Sequence, residues 1–375
     1  MKAALSLNKG RAAFFFLPFG RADMFQIHLS NRLYHVLKKE LDEVNVQMMK
    51  PYNPPREQRS GTKSKRKRIW LTASMVVVLG LGTVVYSLAD RYLIRHVEVV
   101  VAADNTAQAS SSTNVTTTAA EANANYDDWN YSSDSLNISI DKVQTGSGSD
   151  QITYYVADVV MKDASSLQAA LADNSFGTNI TEDTSDIAAA NNAIFAINGD
   201  YYGFRDDGVI IRNGTLYRDE PVRDAMALLS DGTMKTYSET EVSSSELLAE
   251  GVTNTLSFGP ILVKDGEITS DFSHVEIDKN FGNRSIQDAN PRTAIGMIAP
   301  NHYVFVVVDG RQQDSRGMTL AELAQTMKDL GATEAYNLDG GGSSTMYFMG
   351  RVVNNPLGKN SERGVSDILY LKESE

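Results

Sequence analysis

Near the C-terminus a strand-like segment ends in Asn337-Leu338-Asp339-Gly340-Gly341-Gly342-Ser343-Ser344-Thr345, which places one carboxylate, three glycines and three hydroxyls in succession. Packing alone asks for no such combination. Glycines let backbone N–H groups turn toward a ligand with no side chain in the way, which suits an anionic or polyhydroxylated group. The segment lacks the Gly-Lys-Ser/Thr ending of a Walker loop, the third glycine of a dinucleotide fingerprint and the closing glycine of a nucleophile elbow. A tight strand-to-strand turn is the plain alternative. A second carboxylate, in Asp309-Gly310-Arg311, also follows a strand-like run, Tyr303 to Val308.

Between these two carboxylates lies the one clear helix. Thr319 and Glu322 form a capping box, Leu320, Leu323, Ala324, Met327 and Leu330 repeat at helical spacing, and Gly331 stops the run. Strand, helix and strand in this order predict a right-handed crossover joining parallel strands, Tyr303 to Val308 and Glu334 to Leu338. Both strands then finish at one edge, where the ligands of such units gather, so Asp309 and Asp339 are expected to face one pocket. Neighbouring strands lie about 4.8 Å apart and next neighbours about twice that, which brackets the carboxylate separations of glycoside hydrolysis. Each aspartate is alternatively an Asx-turn residue bonded to its own backbone. Further strands are expected at Ile152 to Val160 and Ala193 to Ile197, a hairpin around Asn213-Gly214, and an antiparallel pair from Thr293 to Ile298 and Tyr303 to Val308.

Only part of the 375 residues reads as a packed domain. Residues 69–89 carry no charge and match the roughly 20 residues that cross a bilayer. Lys63, Lys65, Arg66, Lys67 and Arg68 precede them, which keeps the N-terminal side cytoplasmic and the C-terminal part outside. Asp90 and Arg91 follow directly and no Ala-x-Ala site closes the run, so an uncleaved anchor is favoured over a signal peptide. Residues 1–68 hold 15 basic and 5 acidic side chains, a net of +10, which leaves −22 for the remainder of a chain whose total is −12. The expected layout is a cytoplasmic basic tail over 1–68, with Met48 or Met49 as alternative starts, and a transmembrane helix over 69–89. A flexible linker follows over 90–135, then a folded domain over 136–375. From Ala102 to Asp134 the chain is mostly small and polar and reads as a disordered stalk holding the domain off the membrane. The fold class expected is α+β, a mixed β-sheet domain with a βαβ crossover near the C-terminus.

The acidic balance beyond the span argues against nucleic acid as a partner. With no cysteine there is neither a disulfide framework nor a thiolate metal site. His96, His274 and His302 are the only histidines beyond the span and lie far apart, so a zinc cluster or a Ser-His-Asp triad has little to work with. Acid–base work falls to carboxylates. Asp200, Asp206, Asp207, Asp309 and Asp339 also offer the hard oxygen ligands calcium takes, though without EF-hand spacing, which leaves a structural calcium ion open as the one cofactor.

Taken together, Ile197-Asn198-Gly199-Asp200-Tyr201-Tyr202, Pro291-Arg292-Thr293-Ala294-Ile295-Gly296, Val308-Asp309-Gly310-Arg311 and the Asn337 to Ser344 run resemble the phosphodiester glycosidase family, over about residues 136–373 and including Glu362-Arg363-Gly364-Val365-Ser366-Asp367. Bacterial members of that family are often labelled exopolysaccharide biosynthesis proteins. The resemblance implies an α+β domain that cleaves a sugar from a phosphodiester, with Asn198, Arg292, Asp309, Arg311, Asp339 and Gly340, Gly341 and Gly342 at the motif positions. Asp200 stands where many members have a second glycine. On this reading Arg292 and Arg311 grip phosphate oxygens, helped by loop N–H groups and Ser343, and Asn198 and Asp200 bind sugar hydroxyls. Tyr201 or Tyr202 stacks on the ring, and Asp339 and Asp309 are the catalytic pair in an order left open. The leading function is a membrane-anchored extracytoplasmic hydrolase acting on a phosphorylated saccharide or a wall or capsule polymer. A non-catalytic glycan-binding module and a purely structural tether are the rivals.

Overall fold

The computed structural model describes residues 4–8, 11–16, 23–28, 82–90, 93–101, 124–269, 272, 273, 275, 277 and 286–372. Two compact units divide the chain, Met1–Val77 and Val78–Glu375. In the first, Ala4–Asn8, Arg11–Phe16 and Asp23–His28 form a three-stranded antiparallel sheet. Phe14, Phe15 and Phe16 fall in the second of these strands. Met48, Met49 and residues 69–81 of the expected span lie outside the described residues. Among the described residues no helix is long and apolar enough to cross a membrane; 82–90 is helical.

The second unit is built on a nine-stranded sheet. Its order is Glu267–Ile268, Ile261–Lys264, Glu334–Asn337, Arg292–Ala299, His302–Val308, Ile152–Met161, Leu136–Thr145, Asn130–Ser132 and Asn125–Tyr126. A five-stranded sheet has the order Arg351–Val352, Met346–Phe348, Phe195–Asn198, Asp367–Leu371 and Leu167–Leu171. Every hydrogen-bonded pair in both sheets is antiparallel, so the sheets are not mixed as expected. The crossover survives in altered form. The His302 and Glu334 strands run parallel to each other, but the Arg292 strand lies between them and pairs antiparallel with both.

The alternation of side chains along a strand sets the layers. Tyr303, Phe305 and Val307 join one core cluster with Phe195, Ile197, Met346, Phe348, Leu369 and Leu371 of the five-stranded sheet. Val304, Val306 and Val308 join a second with Leu320, Leu323, Ala324 and Met327 of the helix Leu320–Asp329. Ala196, Ile368 and Tyr370 turn the opposite way, onto Ile187 and Ala188 of the helix Thr184–Ala190. The domain is thus a four-layer α+β sandwich, and a strand buried on both faces reads as a continuous apolar run. Phe195 and Phe305 meet across the two sheets with ring centroids 5.2 Å apart, a contact worth about 0.5–1.5 kcal/mol beyond its buried area.

Local expectations hold where local chemistry decides. Thr319 Oγ1 accepts from the Glu322 N–H while Glu322 Oε2 accepts from the Thr319 N–H. The hairpin Gly208–Arg212/Thr215–Glu220 turns on Asn213 and Gly214, both at positive φ.

The interval 90–135 is not a linker throughout. His96–Val100 pairs with Ser175–Thr178, and Asn125–Tyr126 and Asn130–Ser132 extend the large sheet, so the domain begins before Leu136. Residues 102–123 lie outside the described residues, yet both ends of that stretch are fixed in the same unit.

Candidate active site

Asp309, Asp339 and Arg292 reach one edge of the large sheet because two parallel strands end there and the strand between them begins there. Asp339 is the more telling carboxylate. It is 8 % exposed, and its Oδ1 accepts from the Gly340 N–H at 2.8 Å. Burial pushes its carboxyl pKa up, against the opposing pull of the Arg363 guanidinium, the Ser343 hydroxyl, the Arg205 guanidinium and the Gly340 N–H.

The glycine run works differently from the expected nest of free N–H groups. The Gly340 N–H is taken by Asp339, Gly341 donates to the Pro291 carbonyl at 2.9 Å, and Ser343 to the Gly340 carbonyl at 3.3 Å. The glycines are needed for close approach instead. A Cβ on Gly340 would lie 2.8 Å from the Pro291 carbonyl oxygen. One on Gly341 would lie 3.3 Å from Arg311 Nη1, and one on Gly342 would lie 3.1 Å from Arg363 Cδ and from Leu357 Cδ2. Two arginines thus lie against the bare turn, Arg311 over Gly341 and Arg363 over Gly342.

Arg363 is the main residue the sequence reading left without a role. Its guanidinium donates to Ser343 Oγ at 3.1 and 2.6 Å, to the Gly340 carbonyl at 3.2 Å and to Asp339 Oδ2 at 3.4 Å, with its side chain 46 % exposed. It sits inside a motif already noted, so position rather than residue type was the missing signal. Arg205 was missed as well. Its guanidinium lies 5.0 Å from the Tyr201 ring centroid and 5.1 Å from that of Phe258, and it donates to the Ser257 carbonyl at 3.2 Å. Arg311 lies beside the glycine turn, where its Nη2 donates to Asn290 Oδ1 at 2.7 Å.

Gly342→Ala tests this packing. Arg363 is half-exposed and free to give way, so the variant is expected to fold with its guanidinium displaced from Asp339. A fall in kcat/KM of about 10²-fold, the penalty of an ångström-scale misplacement, with an unchanged melting temperature would establish it.

Several expected ligand-binding residues have structural duties instead. Asn198 is fully buried; its Nδ2 donates to the Asp339 carbonyl at 2.7 Å and its Oδ1 accepts from Thr293 Oγ1 at 2.7 Å and the Thr345 N–H at 3.2 Å. It joins the two sheets beneath the site and sets the height of Asp339. Asp200 adds no carboxylate to the cleft: its oxygens accept from the Tyr201 and Ser257 N–H groups at 2.6 and 2.7 Å. Tyr202 is buried, stacked on Phe176, and its hydroxyl donates to the Ser366 carbonyl at 2.9 Å. Tyr201, stacked on Phe204 and Arg205, is the tyrosine beside the site. Arg292 spends three of its five N–H groups on the carbonyls of Met318, Ile286 and Asp288 at 3.0, 2.6 and 2.8 Å. Those bonds organise the loop around it, and burial and the neighbouring Arg311 bring its pKa down to about 10, at which it keeps its charge at neutral pH.

Asp309 keeps different company from Asp339. Its Oδ1 accepts from Asn354 Nδ2 and the Asn355 N–H, each at 3.0 Å, and the charges that act on it are Lys142 and Asp314. Burial raises its pKa, opposed by those hydrogen bonds. A groove of about 650 Å³ lined by Gly148, Ser149, Gln151, Gln313 and Asp314 contains no residue of the Asp339 cluster. The hydrogen-bond partners of Asp309 come from the loop 354–355 and those of Asp339 from the glycine turn and Arg363.

The residues do not fit the calcium ion left open by composition. Among the described residues no three His, Cys, Asp or Glu converge. Asp200 is committed to N–H donors and Asp207 to Arg223 Nη2 at 2.5 Å.

The domain is thus an α+β sandwich that carries a buried carboxylate under a glycine turn with two arginines against it. The model of the phosphodiester glycosidase family, the family whose motifs the chain resembles, matches residues 191–372. An SPbeta prophage-derived uncharacterized protein of Bacillus subtilis, YomE, is 32 % identical over 205 residues, covering 52 % of this chain and 30 % of that protein. The bovine N-acetylglucosamine-1-phosphodiester alpha-N-acetylglucosaminidase is 32 % identical over 132 residues, covering 34 % of this chain and 24 % of the enzyme. The chain thus spans less than a third of the curated relatives it matches. The catalytic domain of the zebrafish enzyme of the same name, auto-inhibited by its pro-peptide, superposes with a TM-score of 0.54 at 25 % identity, covering 64 % of this chain and 85 % of that one.

Proposed function

We propose that the domain hydrolyses the bond between a sugar's anomeric carbon and a phosphodiester. The bovine and zebrafish relatives are named for removing N-acetylglucosamine from a 1-phosphodiester, and the same class of bond is read here. The carrying observation is Asp339, a buried carboxylate under a glycine turn with Arg311 and Arg363 against it. Water adds to the anomeric carbon, the carbon–oxygen bond breaks, and the electron pair leaves on a phosphate oxygen. That leaving group needs its charge held more than it needs a proton, and Arg363, Arg311 and Arg205 are the cations to hold it. Asp339 acts on the water or on the anomeric carbon itself. Asp309, clamped by Asn354 and Asn355, positions the neighbouring loop. Residues 69–89 anchor the chain with this domain extracytoplasmic, where the substrate is a surface or exported saccharide.

The test is release of free reducing sugar from a panel of sugar-1-phosphate diesters by the full chain. Arg363→Ala is expected to cut kcat/KM by about 10²- to 10³-fold. Because Arg363 holds the Asp339 pKa down, the acid limb of the pH profile should also move to higher pH in this variant. Saccharide binding without turnover across the panel would favour a glycan-binding module.

A further inference from the structure

Among the described residues, eight of the fourteen exposed large hydrophobic side chains fall within residues 84–100: Val84, Val85, Tyr86, Leu93, Ile94, Val97, Val99 and Val100. The other six are scattered singly over the domain, as on any soluble surface. Leu93 is 66 % exposed, Val97 55 % and Val100 70 %. A concentration of this kind marks an interaction surface.

The charged groups of the same segment are turned to partners. His96 Nε2 meets Asp90 Oδ1 at 3.1 Å, Arg95 Nη1 meets Asp173 Oδ2 at 2.6 Å, and Glu98 lies 3.8 Å from Arg218 Nη2. Asn179 Nδ2 donates to the carbonyls of Asp90 and Ile94 at 3.1 and 2.8 Å, fixing the end of the helical stretch 82–90 to the domain. The segment is therefore strapped down, with its valines and leucine outward. What covers them is indicated by the chain itself, since the patch continues the uncharged run 69–89 and its five flanking basic residues. That run is a bilayer span by length and composition.

We infer that residues 84–100 form a membrane-contacting face that holds the domain directly on the bilayer surface, with no spacer between span and domain. This rests on the anchored reading above, though not on the catalytic one. The face is joined by contacts to a loop beside the site. Arg218, the partner of Glu98, donates through Nη1 to the carbonyls of Tyr202 and Arg205, in the loop that carries Tyr201 and Arg205 toward Asp339.

The chain has no cysteine, so single labels are straightforward. Leu93→Cys, Val97→Cys and Val99→Cys, with Val222→Cys as an exposed control remote in sequence, would each be nitroxide-labelled in the full chain. After reconstitution in phosphatidylcholine and phosphatidylglycerol liposomes, accessibility to oxygen would be compared with accessibility to a water-soluble nickel chelate. The expected result is a several-fold higher oxygen-to-nickel ratio at 93 and 97 than at 222. Liposome-bound protein whose ratios at 93, 97 and 99 equal that at 222 overturns the inference and leaves the anchor standing. Failure to associate with liposomes removes both. Loss of sugar-releasing activity with the lipid signature intact concerns only the catalytic reading.

Discussion

Asp339→Asn is expected to lower kcat/KM by about 10²- to 10⁴-fold, the span of a lost acid–base or nucleophilic group, while leaving the fold intact. Asparagine keeps the acceptor for the Gly340 N–H and fits the same space. The stability arm gives the sign. Burial raises the Asp339 pKa in the folded chain, so its share of stability is present below the unfolded value near 3.8 and is lost as pH rises through the folded value. At neutral pH the ionised group is thus a burden that asparagine removes. The variant should melt no lower than the parent at pH 7, and its relative advantage should shrink as pH falls toward 4. Full turnover in Asp339→Asn would take this residue out of the chemistry. A large drop in melting temperature would recast it as structural.

The largest stability effect is expected at Arg212. Its guanidinium is buried, donates through Nε to Asp367 Oδ2 at 2.6 Å, and lies 3.6 Å from Asp200 Oδ2. It also donates to the carbonyls of Ile211 and Thr255. Arg212→Met leaves two buried carboxylates without their cation, a change that costs about 3–5 kcal/mol when one partner of a buried pair is removed. The Asp367 carboxyl, already raised by burial and now without the guanidinium that held it down, resists ionisation further, so the deficit measured by urea denaturation should narrow as pH is lowered from 7 to 5. Pairing the change with Asp367→Asn should recover part of the loss, because the uncompensated charge goes with it. A single variant within about 1 kcal/mol of the parent would mean the pair behaves as a solvated one.

The two expectations are linked through Gly199. A Cβ there would fall 2.4 Å from Asp367 Oδ1, so glycine is required for the carboxylate to pass under the strand end and accept from the Asp200 N–H. The Asn198–Tyr202 stretch looked like a ligand-binding motif and is instead a junction that ties the five-stranded sheet to the site's floor.

What the sequence by itself determined is what a few residues settle among themselves. The Asn213-Gly214 turn follows from backbone preference, the Thr319/Glu322 cap from hydrogen bonds within one helical turn, and the two-faced burial of the His302 strand from an unbroken apolar run. Asp339, Arg311 and the three glycines also stood out in the sequence, as a combination of residue types rather than as a geometry. Only the tertiary structure decided their company. Asn198, Asp200 and Tyr202 became internal struts because two sheets meet there, and polar groups buried at such a junction must satisfy one another. Arg363 and Arg205 reach Asp339 from distant parts of the chain, and no local pattern encodes that approach. The strand His96–Val100 likewise falls where a linker was expected, since strand pairing is fixed by the partner it finds and not by its own composition.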